Sequence, residues 1–369
     1  MAVASNRSSS SPKDVPCQGV LAFCRVGFEG EVVAELMDLA GRSGIRAEGT
    51  AATGAGYATL KFAEALPLRG LAEQFPLRDL VFARQRLFWV ARADEIPQRG
   101  RDAPIVAALE RHGVLVSRLV IEVPDSDAAR PLSGFCGRFE TPLAEAMVAV
   151  KRLRADQTGL PVLHVVFTDA TTAWLALVEA GDGSPWPMGI PRLRVSKEAP
   201  SRSAHKLVEA IEALLTDKER EASLRAGQRA VDLGAAPGGW SWHLARRGLR
   251  VVAIDNGPLA PSAHATGMIQ HLKADGFTWR PARPVDWMVC DMVAQPIRVA
   301  QLVAEWVAAG RCRHCIFNLK LPMKRRGEEL QRCRALIFKL TRVAGPVDLR
   351  FKHLYHDRDE VTGYLALKR

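Results

Sequence analysis

The sequence has 369 residues, of which 48% are hydrophobic and 25% are charged. This balance is typical of a globular protein with two or three domains, and it excludes a chain that is disordered throughout. No apolar run reaches the roughly 18 residues of a membrane-spanning helix, so no membrane association is expected. The seven cysteines are odd in number and scattered, which favours a reducing compartment and predicts a cytoplasmic protein. The polar, serine-rich segment 1–14 is predicted to be a disordered tail.

The formal net charge is +11, and it is distributed unevenly along the chain. Residues 1–200 contain 23 Lys and Arg against 23 Asp and Glu, whereas residues 201–369 contain 28 against 17. Lys and Arg side chains that neutralise phosphates dominate the affinity of proteins for nucleic acids. The excess therefore predicts a polyanionic partner for the second half, although from charge alone a surface that only aids solubility is the alternative.

The first half alternates strand-like and helix-like patterns, in which no catalytic motif is recognisable. An apolar segment at 80–90 is interrupted by Arg84 and Arg86. The pattern predicts an α+β domain over 15–182, followed by a linker at 183–202 that is rich in Pro and Gly. The predicted strands are 19–25, 54–62, 118–123, 162–167 and 172–178, and the predicted helices are 29–39, 105–111 and 143–153.

The second half, 203–369, alternates more regularly, which predicts an α/β domain with a parallel sheet covered on both faces. A helix at 206–215 precedes a glycine-rich turn. Strands are then predicted at 250–254, 287–290, 315–319, 347–354 and 361–367, and helices at 241–247, 296–309 and 328–343.

The glycine-rich turn 231–240 (VDLGAAPGGW) follows an apolar strand end and leads into a helix. Its Gly-x-x-x-Gly-Gly spacing differs from the Gly-x-Gly-x-x-Gly of a dinucleotide site, and no Gly-Lys-Ser/Thr of a phosphate-binding loop follows. Pro237 has no N–H to offer a pyrophosphate. The turn therefore favours a nucleoside ligand without phosphates, such as S-adenosylmethionine, over the cofactor of an NAD-type oxidoreductase.

Three predicted strands end in a charged residue, at Asp255, Asp291 and Lys320. Open α/β sheets bind ligands at the carboxyl ends of their strands. Asp255 lies 23 residues after Asp232, a spacing typical of the acidic residue that binds ribose hydroxyls. An Asp at a strand end is also often only a helix cap. A Lys that directly follows an apolar strand is less usual, and it indicates function more strongly.

Five segments of the second half resemble the FtsJ-type ribose 2′-O-methyltransferases. The resemblance implies a Rossmann-like domain that depends on S-adenosyl-L-methionine and a catalytic tetrad formed by Lys206, Asp291, Lys320 and Glu360. Asp357 and Asp359 compete with Glu360 for the last position, because the matching segment is short. The five segments are 201–207 (SRSAHKL), 232–240 (DLGAAPGGW), 290–292 (CDM), 318–324 (NLKLPMK) and 357–361 (DRDEV).

Four segments of the first half are similar to the bacterial RlmM family of 23S rRNA 2′-O-ribose methyltransferases. That family joins an N-terminal THUMP-containing region to the catalytic domain. The resemblance implies methylation of a nucleotide, a cytidine, in 23S ribosomal RNA or a large-subunit precursor. The segments are 24–29 (CRVGFE), 80–85 (LVFARQ), 135–139 (FCGRF) and 188–193 (MGIPRL).

The sequence predicts roles for three groups of residues: a base, a basic run and a set of cofactor contacts. Lys320 is predicted to be the base that takes the proton of the 2′-hydroxyl. The basic run Lys324, Arg325 and Arg326 is predicted to contact RNA phosphates, with a solvated charge run as the alternative. The residues that the resemblance places at the cofactor are Ser203, Gly234, Ala236, Pro237, Gly238, Gly239, Asp255, Asp275 and Asp291.

Two other functions remain open at this point. The alternatives to a 23S rRNA methyltransferase are a 2′-O-methyltransferase of another RNA, such as tRNA, and a non-catalytic RNA-binding module. The intact tetrad disfavours the second alternative. The neutral first half is unusual for a region that selects RNA. Cys312 and Cys315 flank His314 without a second ligand pair, so no metal is expected. No segment indicates an obligate protein partner.

Overall fold

The computed structural model describes residues 14–194 and 196–368. Their contacts divide the chain into two compact units, of which the first ends at Ile190 and the second begins at Pro191. The tail predicted at 1–14 lies outside the described residues, except for Asp14. In the described ranges, no helix combines the length and the hydropathy that crossing a bilayer requires.

The first unit contains a seven-stranded sheet in the order β2-β3-β1-β4-β7-β6-β5. Strands β5 and β6 pair in parallel, and the other neighbours pair antiparallel. The strands are β1 (Pro16–Phe23), β2 (Ala47–Ala51), β3 (Tyr57–Pro67), β4 (Gln85–Ala93), β5 (Arg118–Glu122), β6 (Val162–Phe167) and β7 (Ala173–Val178). The helices are α1 (Glu29–Arg42), α2 (Leu71–Gln74), α3 (Asp102–Arg111) and α4 (Ser133–Ala149).

Most elements of this unit were predictable from apolar periodicity. Helix α1 buries Val32, Leu36 and Leu39, whose spacing of three and four residues places them on one face. Helix α4 differs most from its prediction, because it begins ten residues earlier and contains Pro142. Its buried positions, Cys136 among them, are three and four residues apart as in other amphipathic helices, but two glycines and the proline in this segment disfavour a helix in the sequence.

The second unit also contains a seven-stranded sheet, in the order β10-β9-β8-β11-β12-β14-β13. Its strands are β8 (Arg229–Leu233), β9 (Arg250–Ile254), β10 (Ile269–Leu272), β11 (Val285–Cys290), β12 (Cys312–Lys320), β13 (Val347–Lys352) and β14 (Glu360–Leu367). Its helices are α5 (Ser203–Leu214), α6 (Asp217–Ser223), α7 (Gly239–Arg246), α8 (Pro261–His264), α9 (Pro296–Ala308) and α10 (Arg326–Thr341).

The predicted all-parallel sheet is wrong for one strand. Strands β8 to β12 pair in parallel, whereas β14 lies between β12 and β13 and is antiparallel to both. The reversal arises because a short loop joins β13 to β14, and a short loop connects antiparallel neighbours. The result is a Rossmann-like sheet with one reversed interior strand.

A hydrophobic cluster fixes α5 and α7 on one face of this sheet. Leu207 and Ile211 of α5 and Leu244 of α7 pack with Trp287 and Ile316 of the strands. All five side chains are buried. This packing sets the position of Lys206, because Lys206 directly precedes a residue anchored in the core.

Candidate active site

The parallel strands β8, β9, β11 and β12 end at one edge of the second sheet. Cys290 at the end of β11 is paired with Leu233 of β8 on one side and with Phe317 of β12 on the other. The Asp291 N–H continues this pattern by donating to the Leu233 carbonyl at 3.2 Å. Asp291 therefore lies at the centre of the edge where an open α/β sheet binds its ligands.

The turn between β8 and α7 depends on two adjacent glycines. Gly238 precedes α7 with φ at 108°, a left-handed conformation that favours glycine. A Cβ on Gly239 would lie 2.5 Å from the hydroxyl oxygens of both Ser201 and Ser203. Trp240 then donates from Nε1 to the Ser203 carbonyl at 2.9 Å. The turn is thus in close contact with the start of α5, where the predicted cofactor residue Ser203 lies.

Asp255, at the end of β9, joins the glycine-rich turn to the next loop. Its carboxylate oxygens accept hydrogen bonds from the N–H groups of Ala236 at 3.0 Å and Gly257 at 2.7 Å. The side chain remains partly exposed. A carboxylate has about four lone-pair sites, so Asp255 keeps acceptor capacity for a ribose diol.

Carboxylates make this edge electronegative. Burial, together with the charges of Asp291 and Asp255, raises the pKa of Asp232 to about 7 against the hydrogen bond from Ser241. The Ser241 hydroxyl donates to Asp232 at 2.7 Å. Such a site repels phosphates and attracts a cation. The donor set therefore fits S-adenosylmethionine, a nucleoside that carries a sulfonium and no phosphate.

Asp275 is exposed in the loop that follows β10. It accepts a hydrogen bond from the Phe277 N–H at 2.9 Å, which is the geometry of an Asx turn. A carboxylate has two oxygens, so the side chain of Asp275 has the capacity to accept a further hydrogen bond. The predicted adenine contact of Asp275 stays a prediction.

Strands β12 and β14 bring two members of the predicted tetrad together. Their antiparallel register pairs Lys320 with Glu360 and Asn318 with Thr362. Residues two apart on a strand share a face, so all four side chains lie on the same side of the sheet. That side is the one covered by α5, which carries Lys206.

Lys206 lies between two carboxylates. Its Nζ is 3.5 Å from Glu360 Oε1 and 3.6 Å from Asp357 Oδ1. Only 14% of its side chain is exposed. Burial alone would lower the pKa of Lys206, but the charges of Asp357, Asp291 and Glu360 raise it above its ordinary value. The amine therefore stays protonated at neutral pH.

The tetrad carboxyls differ in their ionisation. Burial would raise the pKa of Glu360, but the Arg358 N–H and the Lys206 ammonium hold it below its usual range. Burial raises the pKa of Asp291, and it outweighs the charge of Lys206 and a hydrogen bond from Asn318. Glu360 is therefore ionised at neutral pH, whereas Asp291 is easier to protonate.

Asp357 was considered in the sequence only as a competitor of Glu360, yet the structure brings both carboxyls to Lys206. Asp357 is fully buried, and Asp359 instead points to Arg326, 3.9 Å away. Asn318 and Thr362 were missed as well. Asn318 lies two residues before Lys320, and Thr362 lies two residues after Glu360. This spacing becomes a signal only when β12 and β14 are known to be neighbours.

The predicted RNA-binding residues follow β12 and differ in exposure. Lys324 is exposed, and 80% of the Arg325 side chain is exposed beside Glu328. Arg326 begins α10 with only 14% of its side chain exposed, against Asp359. The first two cations are therefore more accessible to a phosphate than the third.

Cys312 and Cys315 lie three residues apart on β12, so their side chains point to opposite faces of the sheet. Both thiols are buried, and burial raises the pKa of Cys312 to about 12. Over 14–194 and 196–368, no group of three His, Cys, Asp or Glu side chains has the geometry to hold a metal ion.

Three protein-family models match the chain. The RlmM ferredoxin-like domain matches residues 17–87, and the N-terminal model of ribosomal RNA large subunit methyltransferase M matches residues 100–178. An FtsJ-like methyltransferase model matches residues 199–316. The strand order β2-β3-β1-β4 of the first unit agrees with the ferredoxin-like match.

Relatives named ribosomal RNA large subunit methyltransferase M are similar over nearly the whole chain. The protein from Thauera aminoaromatica is 58% identical over 96% of this chain and 97% of its own. The protein from Xanthomonas campestris pv. campestris strain B100 is 47% identical over 93% and 98%. A solved structure, TrmN from Thermus thermophilus, is 14% identical, with a TM-score of 0.36 over 95% of this chain and 100% of its own.

Two lines of observation lead to the same family. The edge of the second sheet fits a sulfonium nucleoside, and relatives of high identity span both units from end to end. The chain therefore belongs to the ribosomal RNA large subunit methyltransferase M family, a family of methyltransferases that use S-adenosyl-L-methionine as methyl donor.

Proposed function

We propose that this protein methylates the ribose 2′-hydroxyl of a cytidine in 23S ribosomal RNA or a large-subunit precursor, in the cytoplasm. The observation that carries the proposal is the pairing of Lys320 with Glu360 beside a buried, charged Lys206. A ribose hydroxyl is a poor nucleophile until a base takes its proton. Two amines in different environments at one edge of the sheet suit that chemistry. The class of RNA is proposed from the names of the relatives.

Lys320 is the proposed base, because it ends β12 with an exposed side chain and no carboxyl of the tetrad covers it as Glu360 covers Lys206. Lys206 stays protonated and stabilises negative charge that develops on the ribose oxygen. Asp291 and Glu360 orient the Lys206 amine, and Glu360 is the cross-strand neighbour of Lys320. When bound, S-adenosylmethionine supplies an electrophilic methyl group on its sulfonium, and alignment of the reacting atoms contributes much of the rate.

The cofactor residues and domain roles complete the proposal. The region 15–182 is proposed to be the THUMP-containing part that selects the RNA, joined by the linker 183–202 to the catalytic domain 203–369. Lys324, Arg325 and Arg326 are proposed to contact phosphates. The proposed cofactor contacts are Ser203, Gly234, Ala236, Pro237, Gly238, Gly239, Asp255, Asp275 and Asp291.

Mapping of ribosomal RNA from cells that lack this protein tests the proposal. A 2′-O-methyl group protects the adjacent phosphodiester from alkali, since cleavage needs the free hydroxyl, whereas a methyl group on a base gives no such protection. We expect one protected cytidine of 23S rRNA to become sensitive and to recover with the wild-type gene. If 23S rRNA is unchanged and a tRNA loses its protected position, the substrate is that tRNA. If the methyl group that is lost was on a base, the proposed methylation of ribose is wrong.

A further inference from the structure

Asp291 and Asp357 are joined by hydrogen bonds through two buried neutral side chains. Asn318 Nδ2 donates to Asp291 Oδ1 at 2.7 Å. The Thr362 hydroxyl lies 2.7 Å from Asn318 Oδ1 and 3.1 Å from Asp357 Oδ2. Both Thr362 and Asp357 are fully buried, and Asn318 nearly so. The network is therefore shielded from bulk solvent.

The network needs a carboxyl proton, because the Thr362 hydroxyl has only one hydrogen. When the Thr362 hydroxyl donates this hydrogen to Asn318 Oδ1, its oxygen can only accept from Asp357 Oδ2, and Asp357 must then carry a proton. When the Asn318 amide is turned by 180°, its oxygen faces Asp291, and the contact there requires a proton on Asp291. Each arrangement satisfies every contact with one proton on the two carboxyls, and neither does so with none.

We infer that the Asp291–Asn318–Thr362–Asp357 network holds one shared carboxyl proton, which resides on Asp357 and keeps Asp291 ionised beside Lys206. Its role in catalysis rests on the proposed function. Asp357 is then a positioning residue, since it acts on the reacting groups through Lys206 and Asn318. The amide orientation in the structure, with Nδ2 toward Asp291, is the one that places the proton on Asp357.

The charges around Asp357 agree with this assignment. The groups that face it are Lys206 and Glu209 of α5 and Glu360 of β14. Burial raises the pKa of Asp357 to about 8, against the Lys206 charge and the hydrogen bond from the Leu354 N–H. Asp291 is more exposed than Asp357, and hydration favours the charged form. Lys206 is then balanced by the anions Asp291 and Glu360.

Two substitutions at one position test the catalytic part. In Asp357→Asn an amide nitrogen at the Oδ2 position donates to Thr362, as a protonated carboxyl does, but it no longer accepts from the Leu354 N–H, which contacts the same atom. Asp357→Ala should reduce the single-turnover rate about a hundredfold, which is the effect of misplacing a catalytic group by about 1 Å. Asp357→Asn should recover about tenfold or more of that loss, with the apparent KM for RNA unchanged in both.

The matched control is Asp286→Asn at the start of β11, whose carboxyl accepts from the Arg229 N–H at the opposite end of the sheet from Lys206. At saturating RNA this variant should retain its rate. If Asp357→Asn is as slow as Asp357→Ala while both remain folded, the negative charge of Asp357 is required, and the inference is overturned.

The pH dependence of unfolding tests the proton without any activity. An Asp that ionises near 3.9 in the unfolded chain and near 8 in the folded protein binds more protons when folded. Wild type should therefore lose stability relative to Asp357→Asn as the pH rises from about 4 to about 8. A constant difference over that range would show an ionised Asp357. If the stability shows the expected pH dependence but the protein does not methylate ribose, the shared proton is supported and the proposed function is rejected.

Discussion

The two lysines of the site have opposite environments, which assigns them different tasks. Lys206 is enclosed, with the carboxyls of Glu360 and Asp357 at 3.5 and 3.6 Å. Removing one partner of such a buried pair leaves an uncompensated charge and is costly. Lys320 instead ends a strand with an exposed side chain. The site thus combines a fixed cation with an accessible amine.

Removal of the Lys320 amine is expected to abolish turnover and to leave cofactor binding intact. Lys320→Ala should decrease the single-turnover rate by a factor of about 10² to 10⁴, the range for loss of a general base. Calorimetry with S-adenosylmethionine should give an unchanged dissociation constant. Lys339→Ala, at an exposed position of α10, is the control. Normal single-turnover methylation by Lys320→Ala would remove Lys320 from the role of base.

Asp255 tests the cofactor edge, because it orders the two backbone segments that flank it. Asp255→Ala frees the N–H groups of Ala236 and Gly257 and removes the proposed acceptor for the ribose hydroxyls of the cofactor. We expect calorimetry to show a cofactor affinity weaker by about tenfold or more, or about 1.4 kcal/mol. Asp286→Ala is a matched control, since Asp286 accepts from the Arg229 N–H at the opposite end of β8. Equal affinities in the two variants would exclude Asp255 from the site.

Helix α5 positions both Lys206 and the loop between β13 and β14. Glu209, one turn after Lys206, is 2% exposed. Its carboxylate accepts from the N–H groups of Tyr355 at 2.6 Å and His356 at 3.1 Å, and it also contacts His356 Nδ1 at 2.7 Å. Asp357 follows directly in the chain. One helix therefore sets the position of the lysine and of a carboxyl that contacts it.

Neutralising Glu209 should loosen this loop. Glu209→Gln has one acceptor oxygen in place of two, and a lost hydrogen bond of a buried group costs about 1–3 kcal/mol. Urea unfolding should show a loss in that range together with reduced turnover. Glu212→Gln, on the same helix, removes a partly exposed ion pair with Arg220 at 3.2 Å and should change stability by less than about 1 kcal/mol. Similar losses in the two variants would contradict the role of Glu209.

The sequence predicted those elements whose signal is local. The strands that end at Asp255, Asp291 and Lys320 are apolar runs, and the turn after β8 is recognisable from its glycines. Strand β10 (Ile269–Leu272) was missed, because it has only four residues and two of them are polar. The network through Asn318 and Thr362 depends on which strands are neighbours, and apolar periodicity carries no such information.

At the scale of the whole chain, the excess of cations in the second half bears on RNA binding. Lys324 and Arg325 are exposed beyond β12, whereas Arg326 is mostly enclosed beside Asp359. Each phosphate contact that is lost reduces the dependence of log affinity on log salt by about 0.7 to 0.9. The double variant Lys324→Ala/Arg325→Ala should therefore reduce the slope by about 1.4 to 1.8.

Arg326→Ala is expected to reduce that slope by less, because its guanidinium already lies against a carboxylate. Filter binding of an rRNA fragment at several salt concentrations measures both variants, with Lys339→Ala as the control. A slope equal to that of wild type in the double variant would assign Lys324 and Arg325 to a solvated charge run.

The interior position of β14 has a consequence for synthesis on the ribosome. Its residues Glu360 and Thr362 come late in the chain, yet the strand lies between β12 and β13. Domains generally fold as units during translation, in order from the N-terminus. The second unit therefore completes its sheet only after β14 has been synthesised. The contacts of Glu360 with Lys206 and of Thr362 with Asn318 form at that last step.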